Sequence, residues 1–408
     1  MSVCALIFKE TPVRLWGLSS RQRLKRILEH TGVTNVVEDA GAVPPEGSVL
    51  LLRGDYLYDD RVINAMVETS NVLLVDPSDQ RPMAVAAHVP SGLALKAQDA
   101  LSGPAFTSVI PGIRSESPQT LCSSYQRKLR KLDPPFVLPV TAQNRRTLEN
   151  RLFAGAYKGV TDLVTKWVWP HPAKWATRLC IRYGLLPNHV TWTSVFLVII
   201  AGVLFFFGLY GWGLLLGWLM TFLDTVDGKL ARVTVTSSRF GNILDHGLDL
   251  IHPPLWYIAW GLGLEEFQPG IPGLSLCILI WSIVLGYIGG RLVEGAFRWW
   301  LGNFGIFCWR PIDSYFRLIT ARRNPNLILL SIGAALGRPD LGLVAVAFWT
   351  VLTTFLLAIR LSQALGTRII SGPLDSWFSE VDLGADNPSL SVKLFTNYTA
   401  RRSASIHG

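Results

Sequence analysis

The sequence predicts an α-helical integral membrane domain with six transmembrane helices, preceded by a soluble α/β domain. Three observations carry that expectation. Half of the 408 residues are apolar and only 16% are charged, and the apolar residues gather into long runs only after residue 190. Before about residue 140, short apolar runs alternate with amphipathic stretches, the pattern of a layered α/β fold. Four aspartates and an arginine lie in or beside the long apolar runs, where ionisable groups are costly and mark function.

Residues 1–140 form the first predicted domain. CALIF, SVLLLRGD and NVLLVD read as buried strands, and RQRLKRILEH and DDRVINAMVE as helices. Their alternation predicts a mainly parallel sheet. Residues 95–120 hold Ser, Gly, Pro and Ala without strong periodicity, as in a loop or a lost subdomain. Residues 141–189 form a basic amphipathic juxtamembrane segment. There Lys158, Lys166, Lys174, Arg178 and Arg182 alternate with Trp167, Trp169, Trp175 and Tyr183, a mixture suited to lying along a membrane surface. In PNHVT, Pro187, Asn188 and Thr191 fit a helix start.

The membrane domain covers 190–366, with spans expected at about 190–209, 212–233, 239–262, 274–297, 324–338 and 341–364. The fifth is short. Pro253 and Pro254 should kink or break the third span just beyond Asp249. His246 and His252 read as polar residues near that point rather than as catalytic groups. Trp192, Trp212, Trp299 and Trp300 fall near span ends and suit interfacial anchoring. The polar tail, 367–408, is expected to be loosely ordered.

Charge sets orientation and excludes some partners. The net charge is +9, which suits an anionic membrane surface. No arginine-rich run with interleaved aromatics argues for nucleic acid. Lys229, Arg232 and Arg239 follow the second span, and Arg298, Arg310, Arg317, Arg322 and Arg323 follow the fourth. The opposite loops hold GLYGWG, the acidic LEEFQPG and Arg338 with Asp340. The positive-inside rule then puts both termini and the aspartates on the cytoplasmic side. Cys4, Cys122, Cys180, Cys277 and Cys308 show no metal-type spacing and read as unpaired thiols. No signal-peptide pattern is evident at the start.

The chemistry sits in LDTVDGKLARVTVTSSRFGNILDHGLDL, spaced D-x2-D-G-x2-A-R-x8-G-x3-D-x3-D. On a helix, positions three and four apart share a face. Asp224, Asp227, Gly228, Ala231 and Arg232 thus line one helix, and Gly241, Asp245 and Asp249 the next. Carboxylates brought together cannot all stay ionised without a counter-ion. Hard divalent cations such as Mg²⁺ or Mn²⁺ answer that need, and two of them pair well with a pyrophosphate. Gly228 and Gly241 allow close approach of a ligand to the backbone. Arg232, roughly 12 Å along the helix axis from Asp224, could grip a phosphate through two hydrogen bonds.

This pattern resembles the signature of the CDP-alcohol phosphotransferase family, with every fixed position present. The resemblance covers roughly residues 150–370. It implies transfer of a substituted phosphate from a CDP-linked donor, with CDP-diacylglycerol favoured, to an alcohol, with release of CMP in phospholipid biosynthesis. By position it implies two divalent cations on Asp224, Asp227, Asp245 and Asp249, and CDP binding by Asp224, Gly228, Ala231, Arg232 and Gly241. Asp249 is the implied catalytic base. A homodimer through the membrane domain is also common in that family. Arg291, Arg322 and Arg323 are candidate acceptor-binding residues for a phosphorylated alcohol, although plain positive-inside topology accounts for the same arginines. The alternative donor is a soluble CDP-alcohol, giving a phosphodiester such as an inositol phosphodiester, or an aminoalcohol phospholipid. Membrane prenyltransferases also use Asp-rich helices but do not require this glycine and arginine frame. A non-catalytic scaffold is disfavoured because no signature acid is missing.

Residues 1–140 resemble a degenerate sugar-phosphate nucleotidyltransferase, through WGLSSRQRLKRILEHTGVTNVV and LLLRGDYLYDD. The resemblance would make Asp55 a metal ligand. The glycine-rich loop expected after the first strand is missing, because Phe8, Lys9 and Glu10 lead straight into TPVRLWG. Without that cradle for phosphates, Asp55 reads as an ordinary turn residue and the domain as a catalytically lost, regulatory or docking module.

Overall fold

The computed structural model describes residues 3–76, 83–103, 110–237, 239–383 and 387–396. Within these, the side chains of residues 239, 240, 242 and 244–246 are outside the described set. The chain divides into two compact units. The first comprises residues 1–126, 133–156 and 232–236; the second comprises 127–132, 157–231 and 237–408.

The first unit is a layered α/β fold. Its six-stranded sheet contains β1 (Val3–Phe8), β2 (Val36–Val37), β3 (Ser48–Arg53), β5 (Val72–Asp76), β6 (Met83–Pro90) and β7 (Arg114–Glu116), in the order β2-β1-β3-β6-β5-β7. A separate β4 (Tyr56–Tyr58) pairs antiparallel with Val137–Pro139. β1 runs parallel to β2 and β3, with Ala5 opposite Leu50, whereas β6 is antiparallel to both β3 and β5.

Side chains leave a strand to alternate faces, and both faces here are covered. Ala5, Ile7, Leu50 and Leu52 pack with Leu24, Ile27 and Leu28 of α1 (Ser20–His30) and with Val62, Ile63 and Met66 of α2 (Asp60–Glu68). Cys4, Leu6, Val49 and Leu51 pack with Ala94, Ala97 and Leu101 of α3 (Ala94–Ser102). Burial on both faces explains why the strands read as unbroken apolar runs.

The β1–α1 connection is a tight turn followed by a capped helix start. Leu15 and Leu18 close a tight turn through Trp16 and Gly17, both at positive φ. Trp16 stacks on Phe153 with ring centroids 5.5 Å apart, and its indole N–H donates to the Glu149 carbonyl. Ser19 and Gln22 then form a capping box that starts α1. Asp55 is held by Arg53 through two hydrogen bonds of 2.6 and 2.9 Å.

Short α4 (Pro118–Leu121) and α5 (Arg145–Gly155) complete the helices of this unit. The second unit is helical. After a π-helical turn at Val164–Val168 come α6 (Pro170–Arg182), α7 (Pro187–Phe206), α8 (Tyr210–Val233), α9 (Arg239–Leu262), α10 (Leu276–Trp300), α11 (Pro311–Ile319), α12 (Arg323–Ala335), α13 (Pro339–Ser371) and α14 (Leu390–Phe395). Helices stand where the six spans are expected. Among the described residues, α7, α10 and α13 are long and apolar enough to cross a membrane. α12 has 13 residues, about 20 Å at 1.5 Å per residue, which falls short of a hydrocarbon core of about 30 Å.

Two local expectations change. α9 is not broken by Pro253 and Pro254, which both lie inside it. The described part of the tail is packed rather than loose. Ser376 donates to the Cys308 carbonyl, the Trp377 indole donates to Ser314, and Phe395 meets the Tyr315 ring edge-on. Buried aromatic side chains there outweigh the polar composition that suggested disorder.

Phe205, Trp256, Trp260, Ile283, Leu330 and Val346 build a shared core among α7, α9, α10, α12 and α13. Outside it, Phe196, Ile199, Val203, Phe348, Val351 and Phe355 stay exposed on α7 and α13, an apolar surface suited to lipid. Trp192, Trp212, Trp299 and Trp300 are exposed near helix ends, as interfacial anchors require.

α12 and α13 meet backbone to backbone, where a Cβ added at Gly333 would come within 2.5 Å of the Gly342 Cα. We expect Gly333→Ala to force the helices apart and cost about 2 kcal/mol, read as a lower melting temperature in detergent. An unchanged melting temperature would mean that the two backbones do not touch.

Candidate active site

The motif places its residues on consecutive helices. Asp224, Asp227, Gly228, Ala231 and Arg232 lie on α8, and Gly241, Asp245 and Asp249 on α9. The side chain of Asp245 is outside the described residues, as are those of His246 and Arg239.

The described acids are held from neighbouring helices. Arg323, the first residue of α12, donates from Nη2 to Asp224 Oδ2 at 2.5 Å and from Nη1 to Asp249 Oδ1 at 2.6 Å. One guanidinium therefore joins α8, α9 and α12 through charge-assisted bonds. Asp227 is buried and accepts a 2.8 Å hydrogen bond from the Thr191 hydroxyl. Thr191 also donates to the Pro187 carbonyl at 3.1 Å, a distance that leaves the Asp227 bond the shorter of the two. The PNHVT segment thus does more than start α7.

Around Asp249 a second layer forms on α10. The Tyr287 hydroxyl donates to the Asp249 backbone carbonyl at 3.1 Å, and Arg291 Nη2 donates to the Tyr287 oxygen at 3.0 Å. The Nε of Arg291 is buried and has no partner among the described residues. Arg322 pairs with Glu294. Of the three arginines read as acceptor candidates, Arg323 touches the signature acids directly, Arg291 reaches Asp249 through Tyr287, and Arg322 is engaged by Glu294.

His252 donates from Nδ1 to the Leu248 carbonyl at 2.6 Å and lies edge-on to Trp256. Its buried Nε2 has no partner among the described residues.

Sequence reading missed a buried polar knot. Asp162 accepts from the Thr165 backbone N–H and hydroxyl and from Asn324 Nδ2, at 2.9–3.0 Å. Burial would raise its pKa. The nearby Arg317 charge and these hydrogen bonds outweigh that effect and hold it below the ordinary carboxylate value. Asn324 directly follows Arg323, so this knot anchors the start of α12. The signal was weak in sequence because the partners lie 162 positions apart.

The donor set suits a hard cation. Asp224 and Asp249 already converge on one positive group, and carboxylate oxygens are the preferred ligands of Mg²⁺ and Mn²⁺. Among the described residues, no group of three His, Cys, Asp or Glu is assembled around a common metal position.

Comparison with known proteins follows the same helices. Residues 184–310 match the model of the CDP-alcohol phosphatidyltransferase family, whose members generally use divalent metals. A phosphatidylinositol phosphate synthase of Mycolicibacterium smegmatis is 26% identical over 181 residues, covering 43% of this chain and 72% of that protein. One from Mycobacteroides abscessus is 29% identical over 125 residues, covering 29% of this chain and 55% of the relative. An uncharacterized protein of Aquifex aeolicus is 29% identical over 193 residues, covering 46% of this chain and 87% of its own length.

Removing Arg323 should leave two acids without their shared counter-ion. Arg323→Ala is expected to lower stability in metal-free buffer by about 2–3 kcal/mol, and millimolar Mg²⁺ should recover part of that loss. Thermal melts with and without Mg²⁺ check this, and an Arg323→Ala protein as stable as wild type without metal would mean that Arg323 is not the counter-ion of these acids.

Proposed function

We propose, from the match of residues 184–310 to the CDP-alcohol phosphatidyltransferase family, that the protein transfers a substituted phosphate from CDP-diacylglycerol to an alcohol, releasing CMP. The observation that carries this is the complete signature on α8 and α9 with Asp224 and Asp249 converging on Arg323. A phosphorylated polyol is the proposed acceptor. Arg291 beside Asp249 supports it, and so does the name phosphatidylinositol phosphate synthase carried by the relatives.

Divalent cations held by Asp224, Asp227, Asp245 and Asp249 would neutralise the donor pyrophosphate and the charge that builds on it. The chain's own groups do the rest. Thr191 fixes the Asp227 carboxylate. Gly228 lets the nucleotide approach the α8 backbone, beside Ala231 and Gly241, and Arg232 holds a phosphate. Arg323 sets the relative placement of Asp224 and Asp249. Asp249 takes the proton of the acceptor hydroxyl. The acceptor oxygen forms a bond to the β-phosphorus as the bond from that phosphorus to the bridging oxygen breaks, and CMP leaves with that oxygen.

Six membrane crossings with the signature on the cytoplasmic side complete the reading. Arginines in the loop after α10 support that side through the positive-inside rule. The first unit is proposed as a nucleotidyltransferase-like module without catalysis. The mainly parallel sheet and the Trp16 turn in place of a phosphate cradle support that role.

A CMP-release assay on purified protein with Mg²⁺ or Mn²⁺ tests the proposal. CDP-diacylglycerol is offered with inositol phosphate, glycerol phosphate, inositol or serine. Release should depend on a phosphorylated acceptor and fall at least about a hundredfold in Asp249→Asn. Release with soluble CDP-alcohols alone would replace the lipid donor, and undiminished release in Asp249→Asn would remove the assigned base.

A further inference from the structure

Residues 232–236 begin at Arg232, the last signature residue of α8, and belong to the α/β unit. Val233 ends α8, so its carbonyl is among those that a helix C-terminus leaves without an intrahelical donor. Arg23 Nη2 donates to that carbonyl. Arg26 Nη1 donates to the next one, Thr234, at 2.6 Å. The two arginines are three positions apart on α1 and so share a face. Cations at a helix C-terminus also complement its partial negative charge.

Val235 adds a second hold. It is a β-branched residue at φ +50°, in the left-handed region where such residues are outliers. Its side chain is buried in the core cluster that contains Leu24, Ile27 and Val62. Strained backbone persists only where the surroundings over-determine it. Arg23 itself is 5% exposed, and its Nε has no partner among the described residues. An arginine buried with an unsatisfied nitrogen is a poor device for stability alone.

We propose that Arg23 and Arg26 are positioning residues for the transfer reaction. They cap the end of α8 and fix the orientation of Arg232, the residue just before the held Val233 carbonyl. This rests on α8 being the donor-binding helix. It gives α1, whose preceding loop has no phosphate cradle, a mechanical part in the chemistry.

The test uses the full chain in nanodiscs, with Arg26→Ala, Arg26→Lys and Val235→Ala. Hydrogen exchange is followed at amides 225–234, and KM is measured separately for CDP-diacylglycerol and for the acceptor. Arg26→Ala should speed exchange at the end of α8 and raise the donor KM about tenfold, the factor carried by one charge-assisted hydrogen bond. The acceptor KM should stay unchanged. Arg26→Lys should restore most of both effects, and Val235→Ala should reproduce them. Unchanged exchange at 225–234 would overturn the proposal, as would a gain spread evenly over α7–α13 or one that lysine does not reverse. Wild-type protein that releases no CMP, with the exchange pattern intact, would instead overturn the transfer reading and leave the helix cap standing.

Discussion

The Arg323 guanidinium draws Asp224 of α8 and Asp249 of α9 to one point, and the arrangement of the helical unit depends on that compensation. Carboxylates among apolar helices cannot remain ionised without a positive partner. The remaining contacts serve the same convergence. Thr191 pins Asp227 from α7, Tyr287 holds the Asp249 backbone from α10, and the Asp162–Asn324 knot fixes the residue next to Arg323. A place that gathers acids around a cation can also receive divalent metal and pyrophosphate, the use proposed for it.

The first unit obeys a different constraint. Its sheet is buried on both faces, so its sequence reads as apolar strands between amphipathic helices. The features that depart from regular packing lie at its connections. Trp16 fills the β1–α1 turn, and two α1 arginines serve the segment that follows the signature.

Much of this was legible in the sequence. The motif spacing placed its residues on two helices because helical periodicity is local. Helix positions followed apolar runs closely, except that α13 continues to Ser371. Arg360, a charged residue inside the expected sixth span, forms a bidentate pair with Asp313. The role of Arg323 was not legible, because its partners lie 74 and 99 positions away and positive-inside topology already accounted for it. Thr191 was hidden similarly, since a threonine at a helix start fits a local role. The packed tail was missed because Trp377 and Phe378 are isolated aromatics in a polar stretch, with no periodicity to announce burial.

The acids of α8 and α9 are proposed to form a cation site that serves a pyrophosphate. Equilibrium binding of Mn²⁺ to the full chain, followed by electron paramagnetic resonance, decides this. Binding should be saturable, displaced by Mg²⁺, tightened by a CDP-linked donor, and abolished by Asp224→Asn with Asp249→Asn. Saturable binding that survives in the double variant, or no specific binding with donor present, would contradict it.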